Sequence, residues 1–250
     1  MESGMTNKPS PLTPLYVGTS GWAYAAWKPQ FYPQKLAAKN FLKHYATQLN
    51  AVEVNYTFRR LLSEKAALSW VADTGPEFRF CLKASQFITH IRQLKDPATL
   101  LDRFLPTLQP LAAQLGPILF QLPPQLKADA TLLDDFLANL PRNVKSAFEF
   151  RHKSWFADDT YEVLKKHNAA LCIAESESLV TPEERTAEYI YFRFRKPSYG
   201  PDDLREVAAR ISKCLKDGVE TYAFFKHEED PRSPLYAVDL LETAGKQLAG

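Results

Sequence analysis

Glutamate, arginine and histidine fall within four residues at Glu149, Arg151 and His152, spaced by the apolar Phe150. A carboxylate beside a cation and an imidazole can be tuned as a general acid or base. That is the role expected of Glu149, with His152 as a proton-transfer partner. Glu53, in the run Ala51-Val52-Glu53-Val54-Asn55, is the natural second carboxylate. Two carboxyls facing across a site divide acid and base work in glycoside or phosphoester cleavage. Lys83 completes the expected catalytic set, steadying developing negative charge together with Arg151.

A second tier of residues is suited to holding a ligand. Asn55, His90 and Gln121 follow or end β-type runs, and Arg193, Arg195, Lys226 and His227 follow two late ones. This basic group is the expected site for an anion such as phosphate. Trp22, Tyr24 and Trp155 lie in loops on the same side, where aromatic rings either stack on a sugar or base or pack the loops down. His90, His152 and His227, with Glu53, Glu149 and Glu175, have side chains able to ligate a divalent metal. No H-x-H or H-E-x-x-H spacing supports that, so no metal or other cofactor is expected and a divalent metal is the alternative. Gly18-Thr19-Ser20-Gly21-Trp22 resembles a nucleophile elbow only superficially, because its second glycine falls one place early.

The elements that position these groups alternate along the chain. Short β-type runs recur at 15–20, 51–55, 78–83, 117–122, 144–150, 170–175, 189–194 and 220–225. Helical patterns lie between them. Leu204, Val207, Ala208, Ile211 and Leu215 make one apolar stripe behind Pro201, and Leu132, Leu133, Phe136, Leu137 and Leu140 make another. Asp96-Pro97 supplies a cap and a first-turn proline, and Pro106 and Pro110 should split or kink that helix. The segment 176–187 has little periodicity and is the weakest unit.

Alternating strands and helices predict an α/β fold, a single (β/α)8 barrel with a closed parallel sheet over 15–250. A doubly wound open sheet is the runner-up, lacking its usual G-x-G-x-x-G turn. Strand-to-helix segments are the longer and more polar ones, as expected if the carboxyl ends of the strands form the functional face. Period-two alternation turns Glu53, Asn55, Arg79, Cys81, Lys83, Gln121, Glu149, Arg151, Tyr191, Arg193 and Arg195 inward. Lone charges there are costly, so Glu53, Glu149 and Glu175 are expected to pair with Lys83, Arg151, Arg193 and Lys226. Structural ion pairs and a site for an anionic ligand both satisfy that requirement.

Composition narrows the class. The chain has 250 residues and a formal net charge of +2, which argues against a non-specific nucleic-acid coat. Three cysteines, far apart and in apolar segments, suggest reduced thiols and a cytoplasmic location. No apolar run is long enough to span a bilayer. Residues 1–14, polar and proline-rich, are expected to be a disordered tail. Nothing fixes the oligomeric state.

Several of these residues also carry a family resemblance. Gly18-Thr19-Ser20-Gly21-Trp22-x-Tyr24-x-x-Trp27 with Phe31-Tyr32-Pro33 is similar to the opening signature of the YecE-like family of uncharacterised proteins. So are Glu53-x-Asn55-x-Thr57-Phe58, Lys83 with Thr89-His90, and Leu119-Phe120-Gln121-Leu122-Pro123-Pro124. Glu149-Phe150-Arg151-His152-x-Ser154-Trp155 is the most specific run, and Tyr191-x-Arg193-x-Arg195-Lys196 and Phe225-Lys226-His227-Glu228 resemble one branch of the family. Arg59-Arg60-Leu61-Leu62 and Glu175 depart from the family pattern. The resemblance implies a (β/α)8 barrel distantly like metal-dependent endonucleases and sugar isomerases, and implies no settled activity. The expected function is an enzyme that cleaves or rearranges a phosphate- or carboxylate-bearing small molecule. The alternatives are a non-enzymatic anion-binding barrel and a metal-dependent nuclease-like barrel acting on nucleic acid.

Overall fold

The computed structural model describes residues 14–175, 179–226 and 230–249. The expected tail, Pro14 excepted, and His227 lie outside the described residues. In chain order the elements are β1 (Leu15–Thr19), α1 (Phe41–Tyr45), β2 (Ala51–Val54), α2 (Glu64–Asp73) and β3 (Arg79–Leu82). Next come α3 (Pro97–Phe104), β4 (Ile118–Gln121), α4 (Ala130–Ala138), β5 (Ser146–Glu149) and α5 (Asp158–Lys166). The last are β6 (Ala170–Ala174), β7 (Tyr189–Phe194), α6 (Pro201–Lys216), β8 (Glu220–Phe225) and α7 (Arg232–Ala249). The described residues 179–188, between β6 and β7, form no helix.

Local chemistry accounts for these boundaries. Ser63 accepts a hydrogen bond from Ala66 N at the start of α2, and Asp129 accepts one from Leu132 N at 2.9 Å for α4. Pro201 and Pro97 open α6 and α3. Asp96 does not cap α3 with its side chain, as the sequence suggested. It sits at φ +59° and pairs with Arg92 instead. The prolines 106 and 110 turn the chain after α3 into a 3₁₀ stretch over Leu105–Gln114. The apolar stripe of α6 buries Val207, Ala208, Ile211 and Leu215.

The strands are all parallel, but they do not form the closed eight-stranded barrel expected from the alternation. A continuous ladder runs through six strands in the order β1-β8-β7-β6-β5-β4, an open and strongly curled half-barrel, and β2 and β3 form a separate two-stranded ladder. The reason lies at the two seams. Between β1 and β2 the backbone makes only the isolated Ser20–Glu53 bridge. Side chains take the place of a ladder there. Asn50 Oδ1 accepts from Val17 N at 2.8 Å while its Nδ2 donates to Leu15 O at 2.7 Å. Tyr45 Oη accepts from Thr19 N at 2.8 Å and donates to Ala51 O at 2.9 Å. Between β3 and β4 there are two isolated bridges, Phe80–Leu115 and Lys83–Leu119.

The two faces of the strands separate as the alternation requires. Val52, Val54, Phe80, Leu82, Phe120, Phe148, Phe192 and Phe194 belong to the large core under the helices. Ala51, Cys81, Leu119, Ala147, Cys172, Tyr191, Tyr222 and Phe224 form a second, inner cluster on the concave side.

The β1–β2 seam leaves no room at Gly18. A Cβ there would lie 1.9 Å from the Ala51 carbonyl oxygen and 2.7 Å from Tyr45 Oη. Gly18→Ala should therefore cost at least about 3 kcal/mol by urea unfolding, since overpacking against backbone cannot relax by a rotamer change. Tyr45→Phe, which strands the Thr19 amide, should cost about 1–3 kcal/mol. A Gly18→Ala variant as stable as the parent would show that the seam is not close-packed.

Candidate functional site

The upper inward layer brings together Ser20, Glu53, Gln121, Glu149, Tyr191 and Arg193. Register explains the meeting: Ser20 is bridged to Glu53, and Gln121 is the Cα partner of Glu149. Arg193, from the centre of the long ladder, is 1 % exposed and reaches across the concave face. Its Nη2 donates to Glu53 Oε1 at 2.6 Å and its Nη1 donates to Glu149 Oε2. The two carboxylates expected to divide acid and base work thus grip one guanidinium from either side.

Each carboxylate has further donors. Ser20 Oγ donates to Glu53 at 2.7 Å and Tyr191 Oη at 2.9 Å. Glu149 accepts from Gln121 Nε2 at 2.9 Å and from Arg195 Nη2 at 3.2 Å, and Arg151 Nε lies 2.5 Å from its other oxygen as an ion pair. Burial alone would raise both carboxyls. The guanidinium of Arg193 overrides it and, with these hydrogen bonds, holds Glu53 below its usual range. Arg193, Arg195 and Arg151 together, with Gln121, hold Glu149 far below its own. Both are locked as anions near neutral pH, with no proton to give.

The group poised to titrate is Lys83. It follows β3 directly, fixed by Lys83 N donating to Val54 O at 3.0 Å and by Thr57 Oγ1 donating to Lys83 O at 2.6 Å. Its Nζ donates to Gln121 Oε1 at 2.9 Å and sits 4.1 Å from the centre of the Phe58 ring. Burial, followed by the positive charge of Arg193, lowers its pKa to about 8, with Lys226 adding to the repulsion and Glu53 and Glu149 opposing it. His90 lies against the same Phe58 ring, with its Nδ1 2.8 Å from Thr89 Oγ1. Burial, with Lys83 and Arg151 nearby, lowers its pKa too, so the ring is largely neutral at pH 7.

Lys83 opens into a cavity of about 480 Å³ lined by Asn55, Tyr56, Phe58, Arg59, Arg60, Lys83 and Lys226. These residues follow β2, β3 and β8, so the cavity lies at the carboxyl ends of the strands. The loop after β3 that carries His90 is strained. It makes a single π-helical turn over Phe87–Ile91, and Gln93, Leu94 and Asp96 all have positive φ. Such backbone strain, about 1–3 kcal/mol per residue, gathers at functional positions. A larger cavity of about 710 Å³ lies at the amino ends among Tyr16, Arg79, Lys145, Glu220 and Tyr222, where Lys145 and Glu220 already pair.

The expected ligand-binding residues divide accordingly. Asn55, Lys83 and Lys226 line the smaller cavity, with His90 and Gln121 beside Lys83. Arg193, Arg195 and Lys226 do not make one anion site. Arg193 is consumed by its two glutamates, and Arg195 and Lys196 border a different cavity of about 550 Å³ next to Glu175. Glu175 does not join the interior charges: it accepts from the Arg195 and Lys196 amides at 2.8 and 3.2 Å and from Tyr199. Trp155 is fully buried on Phe150, with Nε1 donating to Leu126 O at 2.8 Å. Trp22 packs edge-on to Trp70, and Tyr24 Oη donates to Ser20 O at 2.9 Å. These aromatics pack loops. His152 uses Nδ1 to cap the turn at Ser154. Among the described residues, no three His, Cys, Asp or Glu side chains are placed to hold a metal ion.

Sequence reasoning missed Phe58, Arg59 and Arg60 as site residues. The usable signal was their position immediately after β2, next to Asn55. It also missed the central place of Arg193, which depends on cross-strand register.

Several proteins are similar to this chain. A family model described as a protein of unknown function, DUF72, matches residues 16–250. The UPF0759 protein YecE of Escherichia coli K12 is 31% identical over 144 residues, 57% of this chain and 50% of that protein. The UPF0759 protein YunF of Bacillus subtilis is 28% identical over 156 residues, 59% of this chain and 54% of that protein. The matched region spans about half the length of these curated relatives. The crystal structure of a DUF72 family protein from Thermotoga maritima has a TM-score of 0.80 at 27% identity, covering 93% of this chain and 99% of that one.

Because both carboxyls titrate lower when folded than when unfolded, their contribution is present above the ordinary carboxylate value of 4.5 and is lost as pH falls below it. Glu149→Gln leaves Arg193, Arg195 and Arg151 without their shared counter-charge and should cost about 3–5 kcal/mol at pH 7. The cost should shrink as pH falls below 4.5 toward the folded carboxyl's own titration. Chemical unfolding of parent and variant from pH 7 to 3 measures this. A variant as stable as the parent at pH 7 would dissolve the counterion role.

Proposed function

The chain belongs to the DUF72 family of proteins of unknown function, and from that premise we propose that it binds a small phosphate- or carboxylate-bearing molecule above β2, β3 and β8. The observation that carries this reading is Lys83, an amine with a pKa of about 8 facing a cavity that Lys226, Arg59 and Arg60 also line. In open parallel sheets, ligands sit outside the carboxyl ends of the strands, which is where this cavity lies. A cleft lined by one sign of charge concentrates the field and draws in counter-ions.

The reaction best supported is proton transfer on the bound anion, cleaving or rearranging it. Lys83 carries the proton, because a group titrating near the working pH exchanges one most readily. Glu53 and Glu149 serve as fixed negative charge that anchors Arg193 behind it. This differs from carboxylate acid–base chemistry: neither glutamate holds a proton to give, and the arginines that hold both carboxyls low make them weak bases. The locked state of both carboxylates also favours a second reading, a curled half-barrel scaffold that holds an anion without turning it over; steady-state turnover separates the two.

Sulfate keeps its charge from pH 6 to 10, so it reports the protein's titration alone. An anion beside Lys83 raises that amine's pKa, and binding near pH 8 should take up protons. Calorimetry in buffers of different ionisation heat should detect that uptake. Affinity should fall several-fold as pH rises from 7 to 9, and Lys83→Met should weaken binding at pH 7 by at least about tenfold, equivalent to roughly 1.4 kcal/mol. Sulfate that binds with no pH dependence, or equally well to Lys83→Met, would place the anion elsewhere.

A further inference from the structure

We propose that Lys83 is a covalent amine: it condenses with the carbonyl group of a small anionic aldehyde or ketone to form an imine. This rests on the anion-binding reading of the same cavity, names the functional group of the ligand, and gives Lys83 bond formation to the ligand in place of proton transfer. Four observations lead to it. Lys83 Nζ donates to a neutral amide oxygen, Gln121 Oε1 at 2.9 Å, and not to a carboxylate. The carboxylates that would pin an ammonium in place are engaged by arginines. Phe58 covers one side of the amine at 4.1 Å and limits its hydration. Arg59, Arg60 and Lys226 line the rest of the cavity, where they can hold the charged arm of a ligand while its other end meets Nζ.

A lysine in a desolvated pocket beside other cations keeps a large neutral fraction, and the neutral amine is the nucleophile. Near pH 8, about half of the Lys83 side chains carry the required lone pair. That pair attacks the carbonyl carbon as the C=O π electrons move to oxygen. One nitrogen-bound proton passes to that oxygen, giving a carbinolamine. The hydroxyl, taking a second proton, then leaves as water while the nitrogen pair closes the C=N bond. One amine and one carbonyl give one imine and one water, with no oxidant or reductant. His90, largely neutral and against the same Phe58 ring, is placed to relay a proton. A protonated imine draws electrons from the adjacent carbon, so the consequence is proton abstraction or bond cleavage next to the former carbonyl.

The test uses the whole protein, with glycolaldehyde phosphate as the anionic aldehyde and glycolaldehyde as its uncharged counterpart. Cyanoborohydride reduces any imine, and peptide mass spectrometry locates the adduct. The expected result is a dominant adduct on Lys83, formed at a rate that rises as pH passes through about 8. Saturating sulfate should suppress it at least tenfold, and glycolaldehyde should react at least tenfold more slowly. Lys83→Arg, with its fold checked by circular dichroism, should lose the adduct. Labelling spread over exposed lysines at rates matching Lys83, or no adduct there, would overturn the inference. If calorimetry shows sulfate binding to the parent protein and yet no adduct forms, the covalent step fails and the binding reading stands. If sulfate does not bind, the binding reading itself fails.

Discussion

Everything above the inner cluster depends on one guanidinium. Arg193 is buried and reaches from β7 to carboxylates on β2 and β5. An ion taken out of water costs several kcal/mol, and only close opposite charge with filled hydrogen-bond positions offsets that. Here the compensation requires three strands at fixed separation, because Glu53 and Glu149 must both reach the same fork. The small residues below, Ala51, Cys81, Ala147, Ala170 and Cys172, leave the interior open on one side, while Tyr189, Tyr191, Tyr222 and Phe224 fill it from the other. Tyr191 has two roles, packing in this cluster and donating its hydroxyl to Glu53. Lys83, shifted first by its burial, also feels this guanidinium: it faces the cavity while Arg193 takes up both acids.

The seams show a second economy. Where β1 and β2 do not share a ladder, their backbone groups still have to be satisfied, because buried amides without partners are costly. The amide of Asn50 does for Leu15 and Val17 what a neighbouring strand would have done, and the hydroxyl of Tyr45 does the same for Thr19 and Ala51. Both side chains come from the segment just before β2. The two-stranded unit is thereby attached to the curled sheet by side chains as well as by isolated backbone bridges, and Glu53 is delivered to Arg193.

This division explains what was legible in the sequence. Strand positions and phases were readable because apolar and polar residues alternate strictly in runs such as Val52-Glu53-Val54 and Phe148-Glu149-Phe150. Helices such as α4 and α6 declared themselves through their apolar stripes. Sheet closure was not legible, because eight alternating units are equally compatible with a ladder that stops at two seams, and nothing in the local pattern marks the Asn50 side chain as a stand-in for a strand. The role of Glu149 was hidden for a related reason. Sequence showed Arg151 beside it, but three arginines converge on it only through the pairing of β5 with β6 and β6 with β7. Trp155 looked like a binding residue by its loop position, whereas its indole N–H is already committed to Leu126. Lys83 was legible as inward and basic, but its shifted titration arises from its burial in the assembled fold and then from Arg193 on another strand.

Depth sorts the charges of this molecule by how much dissolved salt can reach them. At physiological ionic strength, mobile ions screen exposed charges beyond about 8 Å but act far less on buried pairs. Arg59 and Arg60 stand in solvent at the cavity mouth, and the carboxylates that face Arg193 are closed off from it. Added electrolyte therefore blunts the long-range attraction that guides an anion inward, while the interior field acting on Lys83 stays nearly constant. Arrival at the cavity and reactivity within it answer to different parts of the solution.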